Sequence, residues 1–434
     1  MIRPANHPQR VDLNNEAHAR PPQELTAPMR ISYLALFSDA SMRDAQRRHV
    51  SELAAACGVA PPGPTAIHFT ADMGRFRLKW ELHSEFVRYK FIIAGTGDDP
   101  FADPPIQLAP PDWVASMVGQ IMVATHVALL PFDSHLTDYD EISNRWFAGN
   151  PLVGSNIASG AAVALMDFRI REDGFNRLLI LDRSLRPRQA GRAVQRLLEI
   201  DTYRLMAQLT LPIARQLGGL LDRFERELVA ITNALAGTQP ISEPDLLDRL
   251  TRLAAEIEHA ESQNHYRFSA ARAYYLLVQR RIRELREERL PAIQTLHEFT
   301  ELRLAPAMNT CMAAAERQDS LAERVTRATQ LLSTRVDITR ERQEMAVLES
   351  MNQRADLQLR LQQTVEGLSV AAITYYIAGL IGYLAHGVRA MGEPINPGLV
   401  VGASIPVVLV LVALGIRRIH HMVHRQAAQH DSAA

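Results

Sequence analysis

Two long apolar runs near the carboxyl end dominate the pattern of hydrophobic and polar positions. Residues 368–385 and 399–416 are each 18 residues long and carry no charged side chain. A helix rises about 1.5 Å per residue, so each run covers most of a hydrocarbon core about 30 Å thick. Prolines and glycines in residues 386–398 favour a turn between the runs. The pattern predicts a transmembrane helical hairpin, with two buried helices of a soluble protein as the alternative.

The charges that flank the two runs predict their orientation, because lysines and arginines concentrate on the cytoplasmic side of membrane proteins. Five arginines lie on the outer flanks and one lies in the loop: Arg354, Arg360, Arg417, Arg418 and Arg425 against Arg389. We therefore expect a two-span protein of the inner (cytoplasmic) membrane with both termini in the cytoplasm. The hairpin and its basic end would occupy residues 367–425, followed by a polar tail at 426–434.

Strand patterns fill the amino-terminal part of the chain. Between residues 66 and 94, Phe76, Leu78 and Trp80 alternate with charged side chains, which is typical of a half-buried strand. Further strand candidates are residues 29–37 and 122–130, and residues 39–58 have helical spacing. Residues 161–171 and 177–181 predict a hairpin whose turn places Gly174 at positive φ. Strands with appended helices predict a cytoplasmic α+β domain over residues 1–183.

Helical spacing replaces the strand patterns from Pro187, a residue suited to a first helical turn. We expect one helix over residues 188–236, bent at Pro212 and at Gly218-Gly219. A coiled-coil seam then follows through residues 246–285, with the spacing expected of interlocking helices. Its members are Leu246, Leu250, Leu253, Ile257, Ala271, Tyr275, Val278, Ile282 and Leu285. Residues 184–366 are accordingly predicted to form a long-helix stalk.

The last helix of this stalk, expected to start near Asp319, carries a seven-residue repeat that runs into the first apolar run. The repeat consists of Leu331, Ile338, Met345, Asn352 and Leu359, with Leu348 and Ala355 at the intermediate position. The same seam continues through Gln362, Glu366 and Ser369. Either an oligomeric stalk ends in a solvated turn, or these polar side chains and Tyr376 face a symmetry axis that leads into a pore. An Asn at a seam position is typical of a device that fixes the register of the helices.

Small residues on the two apolar runs predict close helix packing in lipid. Gly367, Ala371, Ala378 and Gly382 lie along one face of the first run, and Gly398 and Gly402 open the second. The alternative is the ordinary composition of membrane helices, in which glycine is common.

Several polar groups are candidates for binding chemistry. Asn15, Glu16, His18 and Arg20 are close enough in sequence to form a binding or metal site, or simply a packed terminal segment. Asp138, Asp140 and Glu141 could hold a hard cation, or form a solvated loop. His420 and His424 have the spacing of zinc or nickel ligands on a helix, or face lipid headgroups. The segment 297–301 resembles a zinc-protease helix but has Glu301 where the second histidine would be.

Composition narrows the classes of function. A net charge of −1 argues against a nucleic-acid partner held by bulk electrostatics. Cys57 and Cys311 are the two cysteines, which suits a reducing compartment. Because no catalytic motif is recognised, an enzyme is not predicted, and no cofactor is indicated.

Long segments of the chain resemble one family. Residues 15–22 (NEAHARPP), 296–311 (LHEFTELRLAPAMNTC) and 333–376 look like the bacterial domain-of-unknown-function 3422 family of membrane-anchored proteins. The resemblance implies a cytoplasmic domain on a two-span anchor and carries no catalytic or binding residue. The architecture is also similar to CorA-type magnesium channels, but their Gly-Met-Asn motif is missing after the first run, where Met391-Gly392-Glu393 comes nearest.

The sequence therefore predicts a membrane-anchored homo-oligomer with a large cytoplasmic domain of unknown activity. Its expected partners are the lipid bilayer and further copies of the chain, with a cation as a candidate partner. One alternative is a CorA-like cation channel or transporter whose first span lines the pore. The absence of acidic residues between 368 and 389 argues against this alternative. A second alternative is an anchored sensor or scaffold.

Overall fold

The computed structural model describes residues 6–11, 13–14, 23–134, 136–237, 242–390 and 396–430. Beyond residue 416, Arg418 is the residue whose side chain is described. The chain divides into two compact units, Met1–Gln330 and Leu331–Ala434, called here the amino-terminal unit and the carboxy-terminal unit. This division falls within the segment predicted as the stalk.

One mixed sheet organises the amino-terminal unit. Its eight strands lie in the order β2-β3-β4-β1-β5-β8-β7-β6, and within the described residues only the β5–β8 pair is parallel. The strands are β1 Met29–Phe37, β2 His68–Asp72, β3 Arg77–Leu82, β4 Phe86–Ala94, β5 Gln120–Pro131, β6 Val153–Ile157, β7 Ala162–Met166 and β8 Asn176–Asp182. The sheet confirms the predicted α+β class, and β1 has the predicted bounds.

Period-2 alternation on the central strands separates two chemically different faces. On β4, Tyr89 and Phe91 join an apolar core with helix α1 (Arg43–Ala56). The next residues on that strand, Arg88 and Lys90, face the other way and are also buried. Two short helices, α2 (Pro111–Ala115) and α3 (Tyr139–Trp146), complete the apolar face.

The predicted β7–β8 hairpin is present, but its first strand is shorter than expected. β7 ends at Met166 rather than near residue 171, because Phe168 has φ of 53° and the backbone leaves the ladder. Asp167 then accepts hydrogen bonds from the Arg169 amide at 3.2 Å and the Arg171 guanidinium at 2.8 Å. Gly174 has φ of 82°, as predicted for the turn.

Three helices follow the sheet: α4 Pro187–Gln208, α5 Thr210–Ala236 and α6 Glu243–Leu285. The disruption predicted at Pro212 is present as an interruption at Leu209, which divides the helical stretch over 188–236 into two helices. Pro212 has no N–H to donate to the Gln208 carbonyl, so the first helix ends there and a second begins. Gly218 and Gly219 instead lie inside α5 without ending it.

The apolar seam of α6 is buried within the chain. All nine predicted seam residues, from Leu246 to Leu285, are buried, and α6 packs against both α4 and α5. The seam therefore has intramolecular partners.

After α7 (Leu296–Arg303), helix α8 extends from Ala305 to Ala390 and α9 from Pro397 to His430. α8 begins at Ala305 rather than near Asp319, because Pro306 lies in its first turn, where no backbone donor is needed. Within the amino-terminal unit, Arg317 of α8 bonds to Asp222 and Glu225 of α5, each at 2.6 Å.

Two helices in the described residues are long and apolar enough to cross a membrane by length and composition: Ala305–Ala390 and Pro397–Ile416. Only 11% and 6% of their most apolar windows are buried inside the structure. The first apolar helix extends past residue 385, where the sequence pattern placed its end, to Ala390.

Candidate functional site

An arginine-lined cavity of about 630 Å³ lies where α4, α6 and the β6–β7 loop meet. We call it the arginine cavity. α4 contributes Arg192 and Arg196, which are four residues apart and therefore share a helix face. α6 contributes Arg280, Arg283 and Glu284, and Arg286 follows directly. The packing of α4 against α6 turns two separate basic helix faces toward one space.

One carboxylate is shared among several of these guanidinium groups. Glu284 accepts hydrogen bonds from Arg196 at 3.2 Å, Arg280 at 3.1 Å and Arg281 at 2.8 Å. Burial acts to raise the pKa of Glu284, but its hydrogen bonds and the charge of Arg281 outweigh burial and hold it below the usual value. Glu284 is therefore ionised at neutral pH and neutralises only part of the positive charge.

A buried ionic network connects the cavity to the sheet. Arg281 donates to Glu199 of α4 at 2.5 Å, and Arg88 of β4 donates to Glu199 at 3.2 Å and to Glu81 at 2.6 Å. Burial opposes ionisation of Glu81, but Arg88 and the neighbouring lysines keep its pKa well below the usual value. Burial lowers the pKa of Lys90, on the same sheet face, to about 7. A buried network whose charges are paired in this way is rigid. Removing one member would leave a buried charge unpaired, which is strongly destabilising.

The fold also brings together Ser32, His126 and Asp173, a set that the sequence did not reveal. The Ser32 hydroxyl lies 3.1 Å from His126 Nδ1, and His126 Nε2 lies 3.7 Å from Asp173. Ser32 is 0% exposed and also accepts a hydrogen bond from the Ile106 amide. Burial lowers the pKa of His126 to about 4, so its ring is neutral. A nucleophile must reach its substrate, so Ser32, which is fully buried, has a structural role.

The acidic segment predicted as a possible cation site has a different role. Asp138 is the N-cap of α3, and its carboxylate accepts hydrogen bonds from the amides of Asp140 and Glu141 at 2.9 and 3.2 Å. Acidic residues in a first helical turn are favoured by the helix dipole. In the part of the chain that the structure describes, no group of three His, Cys, Asp or Glu residues could hold a metal. The observed role of Asp138 is therefore to cap α3.

Two other candidates lie outside the described parts of the chain. The polar set Asn15, Glu16, His18 and Arg20 falls in residues that the structure does not describe, and so do the side chains of His420 and His424.

The segment 297–301, which resembles a zinc-protease helix, lies in α7. There Glu298 forms a capping box with Thr295 at the start of the helix.

The carboxy-terminal unit brings some of the predicted small residues together. Ala378 is buried, and a Cβ on Gly382 would lie 3.2 Å from the Val401 side chain of α9, so α8 and α9 approach closely there. Nothing lies within 4 Å of such an atom at Gly367 or Gly402. A Cβ on Gly398 would lie 3.6 Å from the Asn396 side chain of the same segment. Ala371 is exposed.

The repeat on α8 is exposed in the single chain. Leu331 is 74% exposed, and Ile338, Met345 and Leu359 are exposed as well. Among the candidate axis-facing residues, Asn352, Gln362, Ser369 and Tyr376 are exposed and Glu366 is half-buried. Unlike the seam of α6, this one is not covered by apolar side chains of the residues that the structure describes.

A family model described as a protein of unknown function (DUF3422) matches residues 5–423. The chain therefore belongs to this family, as the sequences of residues 15–22, 296–311 and 333–376 indicated. No curated protein and no solved structure was found to match the chain. The similarity to CorA-type channels stays a prediction from architecture.

Proposed function

We propose that this protein is a homo-oligomeric membrane anchor for a cytoplasmic α+β binding domain, held in the inner membrane by a two-span hairpin. The supporting observation is the low burial of the apolar windows on α8 and α9, 11% and 6%. A core helix of a soluble protein buries its apolar face, whereas a membrane helix exposes it to lipid. The excess of arginine on the outer flanks favours cytoplasmic termini.

Self-association is proposed from the contrast between two seams of similar spacing. The α6 seam is buried by α4 and α5, whereas the α8 seam, from Leu331 to Leu359, is exposed. A seven-residue repeat matches the interlocking of one helix with a second helix of the same kind. The occupant of this seam is therefore a second copy of the chain, with Asn352 fixing the register.

Carbonate washing of membranes from cells expressing the full-length protein tests the anchor. The wild-type chain should stay in the membrane pellet. A variant with Leu380→Arg and Leu411→Arg, one charge in each apolar run, should move to the supernatant, because a charge at the centre of a bilayer costs about 3 kcal/mol on insertion scales. Leu302→Arg is the matched control, since Leu302 is an equally exposed leucine on α7. Release of the wild-type chain by carbonate contradicts the proposal.

A second candidate function, a cation channel, is favoured by the polar continuation of the α8 seam. Gln362 and Ser369 are exposed on the approach to the first apolar run. In an oligomer, repeated polar side chains at one level form rings of the kind that line pores. Liposomes containing the purified protein should then show ion flux that changes in Glu366→Ala and Asn352→Leu. Absence of flux above empty liposomes under every imposed gradient leaves the anchor function alone.

A further inference from the structure

We propose that the arginine cavity binds a phosphate-bearing anion with two or more negative charges. Its volume of about 630 Å³ falls in the range of small-molecule sites, about 300–1,000 Å³. The proposal does not depend on the membrane anchor, because every residue of the cavity lies in the amino-terminal unit.

The charge balance of the cavity points to an anionic ligand. Five arginines line it together with a single carboxylate, Glu284, which already serves three guanidinium groups. Within the described ranges, Arg192 and Arg286 form no ion pair, and Arg283 donates only to the Gln279 carbonyl at 3.4 Å. The space between the two helices therefore carries a surplus of positive charge that an anion would neutralise.

Stabilisation of the α6 terminus accounts for only two of these arginines, Arg196 and Arg283, the latter being the basic residue of the last turn. Basic side chains near a helix C-terminus often bond to its last carbonyls. Here Arg196 donates to the Glu284 carbonyl at 3.2 Å, whereas the Leu285 carbonyl accepts the Ala158 amide at 2.7 Å and the Arg286 carbonyl accepts the Ser159 amide at 3.5 Å. The β6–β7 loop thus caps the helix, and Arg192 belongs to a different helix. Within the described ranges, Arg192 and Arg286 therefore remain without a structural role.

The walls of the cavity are fixed before a ligand arrives. Ala158 and Ser159 hold φ of 54° and 57°, a left-handed conformation that is costly for residues with a Cβ and is maintained by their bonds to α6. On the opposite side, the Arg281–Glu199 pair ties α6 to α4 at 2.5 Å. A preformed site loses less conformational entropy on binding than a flexible one.

Phosphate chemistry fits this arrangement better than a single carboxylate. A guanidinium presents parallel N–H groups that bond a phosphate in bidentate fashion. Several such groups on two helices match an anion whose oxygens point in several directions and whose charge exceeds one.

Titration calorimetry of the full-length protein in detergent tests the proposal, with pyrophosphate in one arm and water-soluble short-chain phosphatidic acid in the other. The Arg192→Gln/Arg283→Gln variant should bind about 10- to 100-fold more weakly. Arg75→Gln is the matched control, because Arg75 is exposed in the β2–β3 turn at the far edge of the sheet. Its affinity should equal that of the wild type.

A third variant separates electrostatics from loss of fold. Glu284→Gln removes the one carboxylate of the cavity, so the affinity for pyrophosphate should increase, and increasing salt should weaken binding in every variant. Binding in the pyrophosphate arm assigns a soluble ligand, and binding in the phosphatidic acid arm alone assigns a lipid headgroup. Absence of binding in both arms, or an equal loss in Arg75→Gln, overturns the proposal.

Discussion

The amino-terminal unit buries charged side chains, whereas the carboxy-terminal unit leaves large apolar ones exposed. In the first, Glu81, Arg88 and Glu199 lie between the sheet and α4. In the second, Leu331, Leu380 and Leu411 are each more than half exposed. Buried charges need partners in place, and large exposed apolar side chains favour a cover, which the described part of a single chain does not provide.

This difference shows that the two units are adapted to different surroundings. The amino-terminal unit pairs the charges of Glu81, Arg88 and Glu199 with one another. Under the proposed function, lipid covers the apolar runs of the carboxy-terminal unit and a second copy of the chain covers its seam. Because Trp80, Trp113 and Trp146 all lie in the amino-terminal unit, tryptophan fluorescence reports its unfolding alone.

Breaking the buried ionic network should have the largest effect. Arg88→Met leaves Glu81 and Glu199 without their shared partner, so the free energy of unfolding should fall by about 3–5 kcal/mol. Urea denaturation of the full-length protein in detergent, followed by tryptophan fluorescence, measures this loss. Arg75→Met, an exposed arginine, is the control. Equal stability of the two variants contradicts a structural role for the network.

The two seams provide a direct comparison of one substitution in two surroundings. Leu250→Ala on α6 removes a fully buried side chain and should lower the free energy of unfolding by about 2–5 kcal/mol. Leu348→Ala on α8 should change it by less than about 0.5 kcal/mol, because Leu348 is exposed. Sedimentation velocity should show weaker self-association for Leu348→Ala alone. Unchanged self-association of Leu348→Ala would contradict the proposal that the α8 seam is the oligomer interface.

Sequence patterns predicted the helices and strands better than they predicted which of these pack against one another. The sequence pattern identified β1 as a strand, alternation located the strands around Trp80, and helical spacing identified the α6 seam, because these signals depend on neighbours in sequence. The partner of that seam lies within the same chain, which spacing alone does not reveal. Arg192 and Arg283 meet only through the packing of α4 on α6, although the basic segment 280–289 was a visible signal of a charged helix end.

A pH series tests whether the burial of His126 makes the stability of the amino-terminal unit depend on pH. Burial lowers the pKa of His126 to about 4 from its ordinary 6.5, although Asp173 acts to raise it and Arg177 to lower it. Below pH 6.5 the unfolded chain therefore binds a proton that folded His126 does not. His126 should therefore lower the free energy of unfolding by about 2 kcal/mol when the pH is reduced from about 7 to about 5. Tryptophan-monitored urea denaturation at each pH should show a smaller fall in His126→Phe, and an identical pH dependence contradicts the assignment.

The smallest expected effect concerns Asn352, the polar member of the α8 seam. If a second copy covers this seam, Asn352 places an amide in an apolar interface, at a cost in stability that fixes the register. Asn352→Leu should therefore lower the dissociation constant of the oligomer about tenfold, since burial of a leucine contributes about 1.5 kcal/mol or more. Sedimentation velocity over a dilution series measures this shift. Gln353→Leu adds the same side chain one position away from the seam and should leave association unchanged, so an equal gain in both variants shows nonspecific hydrophobic association instead of a defined seam.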